Sequence, residues 1–509
     1  MDNLAELLID RHRRSPDLRV GLADRPLRLA DLLAAAAHLG HFLLESGVRP
    51  GDCVVLLGTN SNPWIVSWMS LQLIGAEAAL TNPAYPEEML RLMVGDLRPR
   101  AVICVGDQGA LELSGLDVMR IDATELDEAR VRIDGRPVDL TLSPAVDPAV
   151  LPGVHRLPTD VAGLMHTSGS TGRPKYCAQS HLYFLELGRL MADRMALGHT
   201  DTVFAPLPLF HINPLGYGII PALIAGAGAL TADRFSASGF WPTVVSAGAT
   251  AIVLHTGPIE ILKGSVDATH AAGHVVRVCF FADAEFLDRY NIPVGLAAYG
   301  STEVGGVSHL RIWRRGDRVD HPEGMSRVGG APRPGIETRL SERGELEVRA
   351  AQPHMIFEGY AGPDGIRSPL DAEGWFATGD AVRFDETGDL VFVERLSESI
   401  RVGGEYVPIP FVESHFAKEL GGGTVALWSE PDALRGEAAV LYVAGSPLDV
   451  ASLRAASARL PKFMRPRRVV LVGEIPRDPG VGKIKRRELG ELAVLDEVLL
   501  TGTADKAAS

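Results

Sequence analysis

Cysteine is scarce in this sequence. Cys53, Cys104, Cys177 and Cys279 are the only four in 509 residues, and no two form a Cys-x-x-Cys pair. That spacing excludes a disulfide framework and a thiolate zinc site. Basic charge is also short, with 50 Lys and Arg against 64 Asp and Glu and a formal net charge of -14. An acidic surface repels both a nucleic-acid backbone and an anionic membrane, so neither is expected as a partner. A local basic pocket for a small anion is compatible with that balance. Long unbroken apolar runs are missing too. Residues 202–232 contain no Asp, Glu, Lys or Arg, yet Pro206, Pro208, Pro214 and Pro221 cut them into strand-sized and helix-sized pieces, so no membrane span is expected. The opening MDNLAELLIDRHRR has an acidic second residue and charges at helical spacing. It lacks the layout of a signal peptide, and a cytoplasmic location is expected. There is no internal repeat and no low-complexity linker.

What is present is enough apolar residue for more than one core, 46% of the chain, which predicts two or three folded units. From Leu27 onward helical patterns alternate with short apolar runs such as CVVLLG (residues 53–58) and AVICVG (101–106). This is the signature of β-α-β units and largely parallel sheets. After Gly329 the pattern turns to short strand-like runs, with DETGD at 385–389 reading as a hairpin turn. Beyond Arg395 a fresh mixed set of elements begins. The predicted fold class is therefore α/β. A large N-terminal domain (1–395) of stacked, largely parallel sheets covered by helices should carry a β-rich subdomain at about 329–395, followed by a small mobile α+β domain (396–495) and a disordered tail (496–509).

The most informative string is LMHTSGSTGRPKYCAQSH, residues 164–181. Glycines let consecutive backbone N–H groups converge on an anion, Thr167, Ser168, Ser170 and Thr171 add hydroxyl donors, and Lys175 adds charge. Such a loop suits a polyphosphate. It is not a Walker A loop, which requires Gly-Lys followed by Ser or Thr after four intervening residues.

The same string resembles the phosphate loop of the acyl-adenylate-forming enzymes, the superfamily of acyl-CoA synthetases, nonribosomal peptide synthetase adenylation domains and beetle luciferases. YGSTEVGG (residues 299–306) resembles the second nucleotide motif of that superfamily. GWFATGD (374–380) resembles its ribose-binding motif and PGVGKIKRREL (479–489) its C-terminal catalytic loop. The resemblance covers nearly the whole chain. It implies an enzyme that uses ATP and Mg²⁺ to convert a carboxylic acid into an acyl-adenylate, with pyrophosphate released.

Residue by residue, the resemblance places Thr167, Ser168, Gly169, Ser170, Thr171, Gly172 and Lys175 around the phosphates. Tyr299 would offer a π-face to adenine, Gly300 and Ser301 would shape the turn, and Thr302 would reach the α-phosphate. Glu303 supplies the hard oxygen that Mg²⁺ prefers, Asp380 accepts from both ribose hydroxyls, and Arg395 donates to ribose or phosphate. Lys483 is the expected catalytic cation, stabilising charge as a carboxylate attacks the α-phosphorus. Lys485, two residues on, should face solvent. His211, after the apolar LPLF run, stands where these enzymes place a gate beside the acyl pocket, and Tyr217 with its flanking glycines should shape the pocket floor.

Three departures bear on the second step. Ser397 replaces the usual Asp or Lys hinge, and Ile409-Pro410-Phe411 replaces a Pro-x-Glu that helps form the pantetheine channel. CFFADAE (279–285) puts Phe280 and Phe281 where a glycine-rich strip usually lies against adenine. With these changes the chain looks like a free-standing amide bond synthetase of the β-carboline amide type, whose second substrate is an amine. Asp201, before the strand leading to His211, is a candidate base for that amine. The alternatives are a CoA thioester-forming ligase, an adenylation enzyme loading a carrier protein, and a nucleotide-binding protein without turnover. Retention of both Glu303 and Lys483 weighs against the last.

Overall fold

The computed structural model describes residues 1–106, 119–123, 130–133, 136–139, 146–167, 174–317, 328–342, 344–396, 400–420, 424–445, 448–477 and 484–500. The chain divides into two compact units. One comprises Met1–Pro83, Glu87–His166 and Tyr176–Glu394; the other comprises Ala84–Pro86, Thr167–Lys175 and the chain from Arg395 onward.

Among the described residues the strands of the first unit form two large sheets, of thirteen and ten strands. Their centres are parallel. In the larger sheet, Thr202–Phe204, Ala251–Val253, Val278–Phe280 and Val294–Tyr299 run side by side in the same sense. In the other, Cys53–Gly58 lies between Glu77–Thr81 and Ala101–Val105, all parallel. Such strands are covered on both faces, which is why they read as continuous apolar runs.

Helix Asn62–Ile74 shows the local logic. Ser61 accepts from the Trp64 backbone N–H as N-cap, Pro63 stands in the first turn, and Gly75 closes the helix in the left-handed region at φ 72°. Its sequence carries no charge because it is buried on nearly every side, packed on helix Leu29–Glu45 and on the parallel strands. Trp64 is 1% exposed, so truncating it to Ala should cost roughly 3–5 kcal/mol.

The charge-free stretch becomes strand Thr202–Phe204, a π-helical turn Leu215–Ile219, helix Ile220–Ala225 and strand Gly228–Thr231. No described helix is long and apolar enough to cross a membrane.

The strands after Gly329 join both large sheets. Val328–Pro332, Ile336–Leu340, Glu345–Ala350, Phe376–Phe384 and Leu390–Arg395 extend the thirteen-stranded sheet in antiparallel fashion. Gly359–Gly362 instead joins the second sheet along Lys175–Ser180. Pairing satisfies backbone groups that an exposed edge would leave open. These strands keep a separate core of Ile336, Leu346, Val348, Phe357, Phe376 and Leu390. The predicted hairpin is present, with Asp385 accepting from the Thr387 and Asp389 N–H groups and Gly388 at φ 83°.

The second unit is α+β. Strands Thr424–Asp432, Gly436–Ala444, Arg468–Val472 and Val494–Leu499 form its sheet with two short strands, Ile400–Val402 and Glu405–Val407. Helices Ile409–Glu419 and Val450–Ala458 pack together. Glu413 anchors this core by accepting from Arg486 at 2.6 Å and from the Leu427 N–H at 2.7 Å. Lys485 is exposed and pairs with Glu488 at 3.0 Å.

Candidate functional site

The YGSTEVGG string leaves the sheet at Tyr299, the last residue of strand Val294–Tyr299, and folds back so that the Ser308 N–H donates to the Tyr299 carbonyl at 3.0 Å. Gly306 N–H closes the turn on the Ser301 carbonyl, also at 3.0 Å. Glycine is required at Gly300, where a Cβ would lie 1.9 Å from the Gly306 carbonyl oxygen. The turn is pinned from outside as well: the Tyr183 hydroxyl donates to the Thr302 carbonyl at 2.9 Å and the Phe357 N–H to the Glu303 carbonyl at 3.1 Å. With their backbones held, the Thr302 and Glu303 side chains stay partly exposed, and the Tyr360 hydroxyl reaches Glu303 Oε1 at 3.4 Å.

Asp380 comes to this turn from strand Phe376–Phe384. The register between that strand and Glu345–Ala350 slips at Glu345/Glu347, so Thr378, Gly379 and Asp380 form a bulge opposite a single partner stretch. Gly379 lies at φ 75°, its N–H donating to Glu345 Oε1 at 2.8 Å. The bulge delivers Asp380, 3% exposed, to the Tyr299 hydroxyl at 2.6 Å. Tyr299, Thr302, Glu303 and Asp380 therefore surround one turn.

An aromatic wall stands beside it. Tyr217, in the π-helical turn, meets Phe280 edge-on at 4.9 Å, and Phe280 meets Phe281 at 4.6 Å. Phe281 occupies the left-handed region at φ 69°, a strained conformation for a bulky side chain costing about 1–2 kcal/mol. Its N–H donates to the Leu296 carbonyl at 2.7 Å, which holds it there. Burial pushes the Tyr217 phenol well above its ordinary pKa, with the Arg333 charge acting in the opposite direction. His211 lies against Phe210 at 4.7 Å and His166 at 5.7 Å between ring centres.

Of the other expected residues, Thr167 closes strand Val161–Thr167 and Lys175 opens Lys175–Ser180, its neighbour in the sheet. Ser168, Gly169, Ser170, Thr171, Gly172, the hinge residue Ser397 and Lys483 lie outside the described residues. Arg395 closes strand Leu390–Arg395. Glu303 belongs to no cluster of three or more His, Cys, Asp or Glu among the described residues. A partly exposed carboxylate fits Mg²⁺, which takes one or two protein ligands and fills its shell with water and phosphate oxygens.

Asp201 is engaged through both carboxylate oxygens. Its Oδ1 accepts from Thr250 Oγ1 at 2.6 Å and Arg277 Nε at 2.9 Å, and its Oδ2 from Arg277 Nη2 at 2.6 Å and the Gly198 N–H at 2.8 Å. Arg277 also donates to the Met195 and Ala196 carbonyls, both at 2.8 Å, beyond helix His181–Arg194. Burial raises the Asp201 pKa, but the Arg277, Thr250 and Gly198 bonds outweigh it and hold the carboxyl below its usual range. A carboxylate so occupied is a poor proton acceptor. Its bonds tie helix His181–Arg194 to strand Thr202–Phe204.

Sequence reasoning missed Tyr183, Tyr360 and Arg333. The tyrosines carry no motif signal, and Arg333 sits in Pro332-Arg333-Pro334, which reads as an exposed turn, whereas its side chain is buried at 4% exposure.

Comparison with known proteins shows what this chain is similar to. The AMP-binding enzyme family matches residues 12–360. A curated relative from Humulus lupulus, "Probable CoA ligase CCL9", is 28% identical over 498 residues, covering 91% of this chain and 90% of the relative. The structure of a double mutant of o-succinylbenzoate CoA synthetase from Bacillus subtilis superposes with TM-score 0.79 at 20% identity, covering 97% of this chain and 99% of that one. The amide bond synthetase McbA from Marinactinospora thermotolerans superposes with TM-score 0.76 at 22% identity, covering 96% of this chain and 98% of that one. With most of its length matched, this chain belongs to the AMP-binding enzymes and is an ATP-dependent, acyl-adenylate-forming ligase.

Proposed function

We propose that this enzyme activates an aryl or heteroaryl carboxylic acid as its acyl-adenylate and transfers the acyl group to an amine, forming an amide. The aromatic wall of Tyr217, Phe280 and Phe281 supports a flat acid. One observation carries the choice of acceptor. Where the CoA-forming pattern has Pro-x-Glu, helix Ile409–Glu419 starts from Pro408 with Ile409 buried and Pro410 in its first turn. The two prolines have no N–H to donate to the carbonyls of a pantetheine arm, and the buried isoleucine side chain has no polar group. The fold likeness to an amide bond synthetase agrees with this reading.

In this scheme the loop from Thr167 to Lys175 holds the phosphates, Tyr299 faces adenine, Asp380 takes the ribose hydroxyls and Arg395 assists there. Glu303 is the protein ligand for Mg²⁺, which neutralises phosphate charge when bound. Lys483 stabilises the transition state as the carboxylate oxygen bonds to the α-phosphorus and the bond to pyrophosphate breaks. The amine nitrogen then bonds to the acyl carbon as its proton passes to solvent and AMP leaves, with His211 as the gate beside the acyl pocket.

A second reading, CoA as acceptor, is favoured by the curated relatives named as CoA ligases. Incubating the enzyme with ATP, Mg²⁺, a panel of aryl acids and either CoA or mixed amines, with products identified by mass, decides between them. Amide without thioester is the expected result. Thioester without amide overturns the amine reading.

A further inference from the structure

We infer that Arg333 and Tyr217 form a receptor for a second anionic group, a carboxylate or sulfonate, on the acid that this enzyme activates. The inference rests on the acyl site proposed above.

Arg333 follows strand Val328–Pro332, and its N–H donates to the Ser308 carbonyl at 2.9 Å. The side chain runs beneath the glycine pair of the nucleotide turn, where a Cβ on Gly305 would meet Nη2 at 2.5 Å. There it has little to hold. Nη2 is 3.5 Å from the Gly305 carbonyl and 3.4 Å from that of Met355, and Nε has no hydrogen-bond partner among the described residues. Among those residues no carboxylate lies within ion-pair distance. Glu186 acts on it only at longer range and is itself paired with Arg189 at 2.6 Å.

Arg11 shows what a structural buried arginine does in this chain. At 9% exposure it donates to the Leu223 and Ile224 carbonyls at 2.6 and 2.8 Å, satisfying the end of helix Ile220–Ala225. Arg333 is more deeply buried and has only the two long contacts. A guanidinium taken out of water without an anion costs several kcal/mol, and an incoming anion recovers that cost.

Tyr217 is the second element. A Cβ on Gly306 would meet its Cε1 at 3.2 Å, so the phenol and the guanidinium flank the same glycine pair. Tyr217 is 5% exposed, and no hydrogen bond of its hydroxyl competes with an incoming acceptor among the described residues. A buried cation without an ion-pair partner, beside an O–H donor, matches a carboxylate or sulfonate better than a neutral group, because only an anion also compensates the charge.

The test measures acid-dependent ATP–pyrophosphate exchange with isophthalate, terephthalate and 3-sulfobenzoate against benzoate and 3-methylbenzoate. The dianions should have kcat/KM at least tenfold higher. Arg333→Met should remove that preference, Arg333→Lys should keep part of it, and Tyr217→Phe should weaken it several-fold. Equal use of mono- and dianions by the unmodified enzyme, or a preference that survives Arg333→Met, overturns the receptor. Thermal shift gives a readout independent of turnover. Isophthalate should raise the Tm of the unmodified enzyme more than benzoate does and should do so less in Tyr217→Phe; equal shifts count against the receptor. Exchange with no acid at all, alongside a Tyr217-dependent thermal shift, would overturn the proposed acyl chemistry and leave the anion site standing.

Discussion

Tyr299 donates its hydroxyl to Oδ2 of Asp380 at 2.6 Å across 81 residues of sequence. The bond fixes the plane of the ring proposed to face adenine and the position of the carboxylate proposed to take the ribose, so the two nucleotide motifs act as one part. Asp380→Ala should raise KM for ATP about 10- to 100-fold, as loss of one or two charge-assisted hydrogen bonds at roughly 1.5–3 kcal/mol implies. Tyr299→Phe keeps the ring and loses the tether, and should raise KM only a few-fold. Pyrophosphate exchange at varied ATP reads both; an unchanged KM in Asp380→Ala removes it from the ribose site.

Asp201→Asn exchanges a fully occupied carboxylate for an amide that matches Arg277 poorly. Breaking a buried pair costs about 3–5 kcal/mol. The Arg277 side chain is 36% exposed, so roughly 2 kcal/mol is the better expectation. The melting temperature should fall by several degrees, with adenylation and acyl transfer losing activity equally. A selective loss of transfer at unchanged Tm would identify Asp201 as a base.

Two buried histidines set a pH dependence. Burial holds His181 and His309 down to about 4, and the Arg156 charge assists at His181. In the unfolded chain both titrate near 6.5, so below that pH the unfolded state binds protons that the folded state refuses. Their contribution to stability is complete above about 6.5 and lost as pH falls toward 4. Urea midpoints at pH 7.5, 5.5 and 4.5 should decline over this window. His309→Gln should flatten the decline, and an identical slope in that variant would exclude His309 as a source.

Lys483→Ala should slow exchange by about three orders of magnitude or more while leaving ATP affinity nearly unchanged, because a transition-state cation contributes little to ground-state binding. Glu303→Gln should raise the Mg²⁺ concentration at half-maximal rate, an amide being a poorer ligand for a hard cation. Near-normal exchange in the first variant, or an unchanged metal requirement in the second, removes that residue from its assigned role.

The α/β layering was legible because parallel strands covered on both faces must be written as apolar runs, and the turn at Tyr299 because its glycines are set by close backbone approach. Other features depend on partners far along the chain. Asp201 meets Arg277 across 76 residues, and an acidic residue before a strand does not disclose whether its oxygens are occupied. Arg333, between two prolines, has the local signature of an exposed turn; its burial comes from Gly305 and Met355, which sequence spacing does not bring to it. The pairing of the late strands with the main sheets was hidden for the same reason, since a strand's own residues set its faces but not its neighbour.

The π-helical turn at Leu215–Ile219 has a further consequence for how this site diversifies. The Ile220 N–H bonds to the Leu215 carbonyl five residues back, so the turn holds one residue more than an α-helical turn does. Deleting one residue here lets the segment rewind as α-helix, and each residue of α-helix turns the chain by about 100°. Tyr217 would then swing away from Phe280 with its own side chain unaltered. Substitution at Gly218 is closed to the protein, because a Cβ would lie 2.6 Å from that of Ala205. Deletion of a residue thus reshapes this wall in a way that point-mutation libraries do not sample.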